Sequence, residues 1–252
     1  MFNLNLKKKS FIVTGGKGYI GKRIIKDLLG EGANIISTDY KNSSLINIKI
    51  IKNKKYSYFN LDLSKKDKID DFAKNLKNIK IDGIINCAAI TSDYLNEKNQ
   101  LNSFDTHFKK VQTVNVDCFI YLFKKLFKNF KKNSSIVQIS SIYSFLAPNK
   151  NLYTNSKIFN SLPYSISKAS INQITRWFAS KYAPNIRFNC VSAGGLSRNQ
   201  DKVFLNKYKK LTPLKRLANE QDVSSIVLFL LSSKSSYITG QSIVVDGGFS
   251  II

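Results

Sequence analysis

Tyr164 and Lys168 stand one helical turn apart, with Ser165-Ile166-Ser167 between them. On a helix, residues four apart lie on one face, so the phenol and the ammonium would face the same space. A free phenol titrates near about pH 10, and a neighbouring cation is expected to lower that value and ready the group for proton transfer at neutral pH. A proton donor of this kind suits a carbonyl oxygen that becomes an alkoxide as hydride arrives, and the same group serves as base in the reverse direction. Ser141 lies where it can orient the substrate oxygen, and Asn115 where it can hold the lysine through a water. The expected catalytic set is therefore Asn115, Ser141, Tyr164 and Lys168.

A second group of residues suits a dinucleotide. Thr14-Gly15-Gly16-Lys17-Gly18-Tyr19-Ile20-Gly21 follows a short β-branched run and opens a helical pattern. Glycines let the backbone turn sharply and approach a pyrophosphate, while the helix directs its first amides at the charge. Gly15, Lys17, Gly18, Tyr19, Ile20 and Gly21 are the expected contacts. Asp39, at the end of the second strand, can accept hydrogen bonds from ribose hydroxyls and repel a 2′-phosphate, which favours NAD over NADP. Asp62 and Leu63 follow the third strand, where an adenine would lie. Asn86, Ala88 and Ala89 follow the fourth, leaving room for a ribose. Tyr164, Lys168 and Gly194 complete the expected cofactor set.

The elements that must position these residues alternate. Strands are expected at Phe11–Thr14, Asn34–Thr38, Tyr56–Leu61, Gly83–Cys87, Ser135–Ser140, Ile186–Val191 and Ser242–Val245. Helices are expected at Tyr19–Gly30, Lys65–Leu76, His107–Phe130, Tyr164–Tyr182 and Asp222–Leu231. Ile171, Ile174, Phe178 and Tyr182 recur at helical spacing, and Pro184 ends that segment. This alternation implies an α/β fold, a three-layer Rossmann-like doubly wound parallel sheet with right-handed crossovers, as a single domain over residues 1–252. Ligands in such sheets bind beyond the carboxyl ends of the strands, and the candidate residues follow strands.

Composition narrows the classes. Hydrophobic residues make up 43% and charged residues 22%, ordinary for a globular chain. No apolar run approaches the roughly 18 residues that span a bilayer, so no membrane association is expected. The basic start, Met1–Ser10, runs into a strand and a glycine turn, which is not a signal-peptide pattern; the expected compartment is the cytoplasm. Cys87, Cys118 and Cys190 are too scattered for a metal or disulfide framework, and His107 is the single histidine, so no metal is expected. The net charge is +24, yet the lysines are spread along the chain. They read as a compositional bias that gives a solvated basic surface, compatible with attraction of anionic metabolites, and no nucleic-acid partner is expected.

Taken together, these motifs resemble the short-chain dehydrogenase/reductase family over almost the whole chain. The resemblance rests on the glycine turn, Asn86-Cys87-Ala88-Ala89, Asn115, Ser140-Ser141, the Tyr164–Lys168 pair, Ile186-Arg187-Phe188-Asn189 and Thr239-Gly240-Gln241 with Val245-Asp246-Gly247-Gly248. It implies the Asn–Ser–Tyr–Lys roles above and a homodimer or homotetramer. Three departures stand out. Tyr19 occupies a position where the short branch of the family usually has glycine. Ala193-Gly194-Gly195 replaces the usual proline-glycine after the sixth strand. Ser141 and Tyr164 are 23 residues apart, longer than the family's usual spacing. The extra segment, Ala147–Pro163, contains a competing pair, Tyr153 and Lys157. Asn160, Ser161 and Pro163 mark helix starts or breaks, so the Tyr153 segment is expected to be loop and Tyr164 the catalytic tyrosine. The segment is similar to a branch associated with flagellin or surface-polysaccharide sugar modification. That similarity implies an anionic sugar substrate, a sugar phosphate or nucleotide sugar. Lys150, Lys157, Arg198 and Lys202 carry the charge to contact such an anion, but as isolated surface cations they read first as solvated charge and stand outside the expected site. The rival readings are a 3-oxoacyl-(acyl-carrier-protein)-type ketoreductase and a non-catalytic NAD-binding interaction protein.

Overall fold

The computed structural model describes residues 3–40, 52–91, 104–155 and 160–252. Its centre is a seven-stranded parallel sheet in the order β3-β2-β1-β4-β5-β6-β7. The strands are β1 (Ser10–Thr14), β2 (Asn34–Asp39), β3 (Tyr56–Asn60), β4 (Ile81–Asn86), β5 (Phe130–Ser141), β6 (Ile186–Ala193) and β7 (Ser242–Val245). The order reverses at β1, with β2 on one side and β4 on the other. This is the doubly wound arrangement expected from the sequence, and its crevice for a ligand lies at that reversal.

Side chains alternate across each strand and so feed two cores. On one face Phe11 and Val13 pack with Ile24, Ile25 and Leu28 of α1 (Tyr19–Gly30) and with Val223 and Val227 of α8 (Glu220–Leu231). On the other, Ile12, Ile84 and Ile136 meet Ile69 and Phe72 of α2 (Lys66–Asn75) and Phe119 and Phe123 of α4 (Cys118–Leu126). Phe178, from α6 (Leu162–Tyr182), joins the same core. Phe123 touches Phe178, Tyr182 and Phe188 with ring centres 4.9–5.3 Å apart. Truncating so enclosed a ring typically costs about 3–5 kcal/mol.

The register brings the carboxyl ends of the strands into one row. Thr14 lies beside Thr38 and Asn86, Asn86 beside Gln138, Ser141 beside Ala193, and Ala193 beside Val245. Every loop that carries a candidate residue therefore opens on the same edge.

Two sequence expectations change here. The helix expected over His107–Phe130 starts earlier and is not uniform. It runs as α3 (Phe104–Gln112), widens into a π turn over Thr113–Asp117, and continues as α4 before Phe130 enters β5. Such turns insert a residue into the hydrogen-bond ladder and recur at functional sites; this one holds Asn115. The segment containing Tyr153, expected to be loop, forms the single helical turn α5 (Lys150–Tyr153), capped by the Asn149 side chain. Lys157 lies outside the described residues. A helix that the sequence reading passed over, α7 (Lys202–Lys210), is capped by Asp201 and buries Phe204 and Tyr208.

Candidate active site

Tyr164 sits in the first turn of α6. Pro163 precedes it there, where a missing N–H costs nothing, and Lys168 follows one turn on. The Lys168 side chain is only 3% exposed, and its Nζ donates to the Ile139 carbonyl at 2.8 Å. That bond holds the ammonium 5.4 Å from the centre of the Tyr164 ring. Burial pulls the Lys168 pKa down from its ordinary 10.5 to about 8, because a charged form is poorly solvated there.

The expectation that the ammonium lowers the phenol is corrected. Burial raises the Tyr164 pKa, while a hydrogen bond with Ser141 and the positive field of Arg198 pull it partly back. Ser141 ends β5, and its hydroxyl also accepts from the Tyr143 amide at 3.2 Å. Asn115 does not touch Lys168. Its Oδ1 accepts from the Ile90 amide at 2.7 Å, and its Nδ2 donates to the Ile90 carbonyl at 3.0 Å and to Ser167 Oγ at 2.9 Å. Asn115 thus ties the strand-4 loop to the helix turn that carries Tyr164 and Lys168.

The competing tyrosine is elsewhere in the same space. Tyr153 shares a hydroxyl–hydroxyl hydrogen bond with Tyr143, and burial drives its pKa strongly upward. No described lysine stands one turn from it on a helix comparable to α6.

Two cavities meet at Tyr164. The smaller, about 260 Å³, is lined by Gly15, Gly18, Tyr19, Ile20, Gly21, Cys87, Ala89, Ser141, Tyr164, Lys168 and Gly194. Of the expected cofactor set, Lys17, Asp39, Asp62, Leu63, Asn86 and Ala88 do not line it. Asp39 stands at the glycine turn, accepting from the Lys17 amide at 3.1 Å. Asn86 Oδ1 accepts from Thr14 Oγ1 at 2.7 Å, and Ala88 backs onto Gly15. Asp62 is engaged with the Ser64 amide and hydroxyl, and Leu63 is buried next to a separate cavity over α2 and α4.

The glycine turn fits a phosphate-bearing ligand. Gly15 has a φ of +63°, and a Cβ there would lie 2.7 Å from the Ala88 nitrogen; at Gly21 it would lie 2.4 Å from the Gly15 carbonyl oxygen. Only glycine permits this approach. No side chain caps the amino end of α1 and no acidic residue lies in its first turn, so its amides are offered to an anion.

The larger cavity, about 410 Å³, continues past Ser141 and Tyr164. Its wall includes Thr91, Tyr143, Tyr153, Asn160, Arg198, Asn199, Gln200 and Tyr208. Tyr208 Oη accepts from the Gly195 amide at 2.6 Å, fixing the loop after β6 where the sequence lacks the family's proline. Thr91, Tyr143 and Tyr208 were not among the residues expected from sequence. Tyr143, two residues past Ser141 in a strand-end loop, carried a signal; Tyr208 lies on the helix that was passed over. Lys150 and Lys202, the other candidate anion contacts within the described residues, do not line this cavity. Among the described residues no cluster of three His, Cys, Asp or Glu could hold a metal, and no helix is long and apolar enough to cross a membrane.

Comparisons with known proteins point to one family. A family profile described as enoyl-(acyl carrier protein) reductase matches residues 17–250. The post-translational flagellin modification protein A of Campylobacter coli is 30% identical, over 98% of this chain and all of that protein. A 3-oxoacyl-(acyl-carrier-protein) reductase of Buchnera aphidicola is 29% identical over 97% of this chain and 98% of its own length. A short-chain dehydrogenase of Leptospira borgpetersenii, solved with bound NAD+, superposes with a TM-score of 0.86 at 30% identity, covering 97% of this chain and 93% of that one.

Proposed function

Since the chain belongs to the short-chain dehydrogenase/reductase family, we propose that it is an NAD-dependent enzyme interconverting a secondary hydroxyl and a ketone on a sugar phosphate or nucleotide-linked sugar. The observation that carries the substrate half is the wall of the larger cavity. Tyr143, Tyr153, Asn160 and Asn199 bring hydroxyls and amides to it beside Ile142, Leu196 and Phe204, a mixed wall that suits a hydroxylated ring with an apolar face. The flagellin-modification relative supports the same direction. The three free thiols, Cys87, Cys118 and Cys190, suit a reducing compartment, and we place the enzyme in the cytoplasm.

The bound dinucleotide supplies or accepts a hydride; the residues named here do the rest. Gly15, Gly18 and the uncapped start of α1 would take its pyrophosphate, and Asp39 its adenosine ribose. Ser141, hydrogen-bonded to Tyr164, orients the substrate oxygen. Tyr164 donates its proton to that oxygen as the carbonyl is reduced, and takes it back in oxidation. The Ser141 hydrogen bond and the positive field of Arg198 favour the phenolate left behind, and Lys168, its ammonium pinned by the Ile139 carbonyl, would contact the dinucleotide. Asn115 is a positioning residue, holding Ile90 and Ser167 so that the helix turn keeps its place. The subunits would assemble as a homodimer or homotetramer.

The test is an NADH-linked assay against sugar phosphates, nucleotide sugars and 3-oxoacyl thioesters on acyl carrier protein. Turnover of a sugar substrate is expected. Exclusive turnover of the thioester would overturn the sugar reading, and a preference for NADP(H) would overturn the role given to Asp39.

A further inference from the structure

Tyr19 and Arg198 meet where the two cavities join. Tyr19 opens α1 directly after the glycine turn. Arg198 comes from the segment after β6, lines both cavities, and sets its guanidinium 5.1 Å from the centre of the Tyr19 ring. The Tyr19 hydroxyl hydrogen-bonds Glu220 in the first turn of α8, which holds that carboxyl below its ordinary range. Glu220 thereby holds the ring through its hydroxyl. Among the described residues no carboxylate lies within ion-pair distance of Arg198.

We propose that Tyr19 and Arg198 form a clasp across the mouth of the smaller cavity, in which the tyrosine ring holds the guanidinium over the amino end of α1 to grip the dinucleotide pyrophosphate. A helix terminus offers partial charge and a few amides to an anion. A planar guanidinium adds a full charge and paired donors matched to phosphate oxygens, and an aromatic face is a favourable platform for it. The tyrosine at position 19 then has a purpose that glycine there cannot serve. The inference rests on reading the smaller cavity as a dinucleotide cleft and is independent of which sugar is turned over.

The test measures NADH affinity by fluorescence on the intact chain, with thermal unfolding of each variant to verify folding. Arg198→Ala is expected to weaken NADH about tenfold, the size of one exposed charge-assisted contact, with Arg198→Lys between it and wild type. Because the contact is solvent-exposed, the salt dependence of binding should become shallower in Arg198→Ala. Reduced nicotinamide mononucleotide, which lacks the pyrophosphate, should lose much less. Tyr19→Phe keeps the ring but loses the hydroxyl's hydrogen bond with Glu220 and should fall between wild type and Tyr19→Gly, whereas Tyr19→Gly should lose affinity and add little to Arg198→Ala in the double variant. An Arg198→Ala affinity within twofold of wild type would overturn the proposal, as would fully additive losses. So would unchanged NADH affinity with a raised KM for an anionic sugar, which would assign the guanidinium to the substrate. Failure of wild type to bind NADH would instead remove the dinucleotide reading itself.

Discussion

The two cavities that share Tyr164 are built differently. In the smaller, strand ends, a glycine turn and the uncapped start of a helix form a backbone wall, joined by the side chains of Tyr19, Tyr164, Lys168 and Arg198. The larger is walled by side chains from segments outside the sheet, the 3₁₀ turn after β5, α5, the loop after β6 and α7. A backbone wall has few sequence solutions and recognises what all dinucleotides share. A side-chain wall can be rewritten residue by residue without disturbing the sheet, and that is where one substrate is distinguished from another.

The sharpest way to break this contrast is at Tyr164, a group that both cavities touch. Tyr164→Phe is expected to lower kcat by about 10³-fold, as for loss of a positioned acid–base group, while NADH affinity stays close to wild type. Tyr153→Phe should cost far less in kcat. The reverse pattern, measured by steady-state kinetics and NADH titration, would transfer the chemistry to the side-chain wall.

Lys168 gives the next effect, on stability. Its folded pKa of about 8 lies below the ordinary 10.5. Between those values the unfolded chain holds a proton that the folded chain has released, so stability rises with pH across the window. Below pH 8 the buried charge costs its full amount; above 10.5 the cost is gone. Relative to Lys168→Met, wild type should gain on the order of 2 kcal/mol from pH 8 to 10.5, read from denaturant midpoints. A flat difference would mean that the ammonium is well solvated.

Gly15→Ala probes the backbone wall. The left-handed φ and the 2.7 Å approach to Ala88 predict a loss of about 1 kcal/mol or more in stability together with at least roughly tenfold weaker NADH binding. Tyr143→Phe probes the other wall and should be smallest: about a threefold rise in substrate KM, in keeping with loss of one hydrogen bond to a neutral group, with NADH affinity unchanged. If Tyr143→Phe moved NADH affinity instead, the division between the walls would fail.

The same division explains what could be read from sequence. The glycine turn, the strand-end residues and the Tyr164–Lys168 pair are local patterns whose chemistry depends on short spacing, and the fold brings Gly15, Ser141, Tyr164, Lys168 and Gly194 to one cavity as expected. What escaped was set by tertiary packing. The segment Lys202–Lys210 reads as a run of charge until Phe204 and Tyr208 are seen packing with Leu152. The Tyr143–Tyr153 hydroxyl pair joins residues from separate turns. The phenol's upward shift follows from burial, which spacing does not report. The π turn leaves no mark in composition, because its neighbours on both sides are ordinary helix.

That π turn also limits how this chain can change length. In a helix each residue advances the face by about 100°, and the wide turn over Thr113–Asp117 absorbs one extra residue without turning the faces that follow. Deleting one residue there would close the bulge into ordinary helix and leave Phe119 and Phe123 on the core, but it would move Asn115 away from Ile90. Substitutions in this stretch are therefore open to compensation by neighbours, whereas a single-residue deletion would keep the fold and lose the tie that Asn115 makes. Among its homologues, the count of residues between Asn115 and Phe119 should be held constant even where their identities drift.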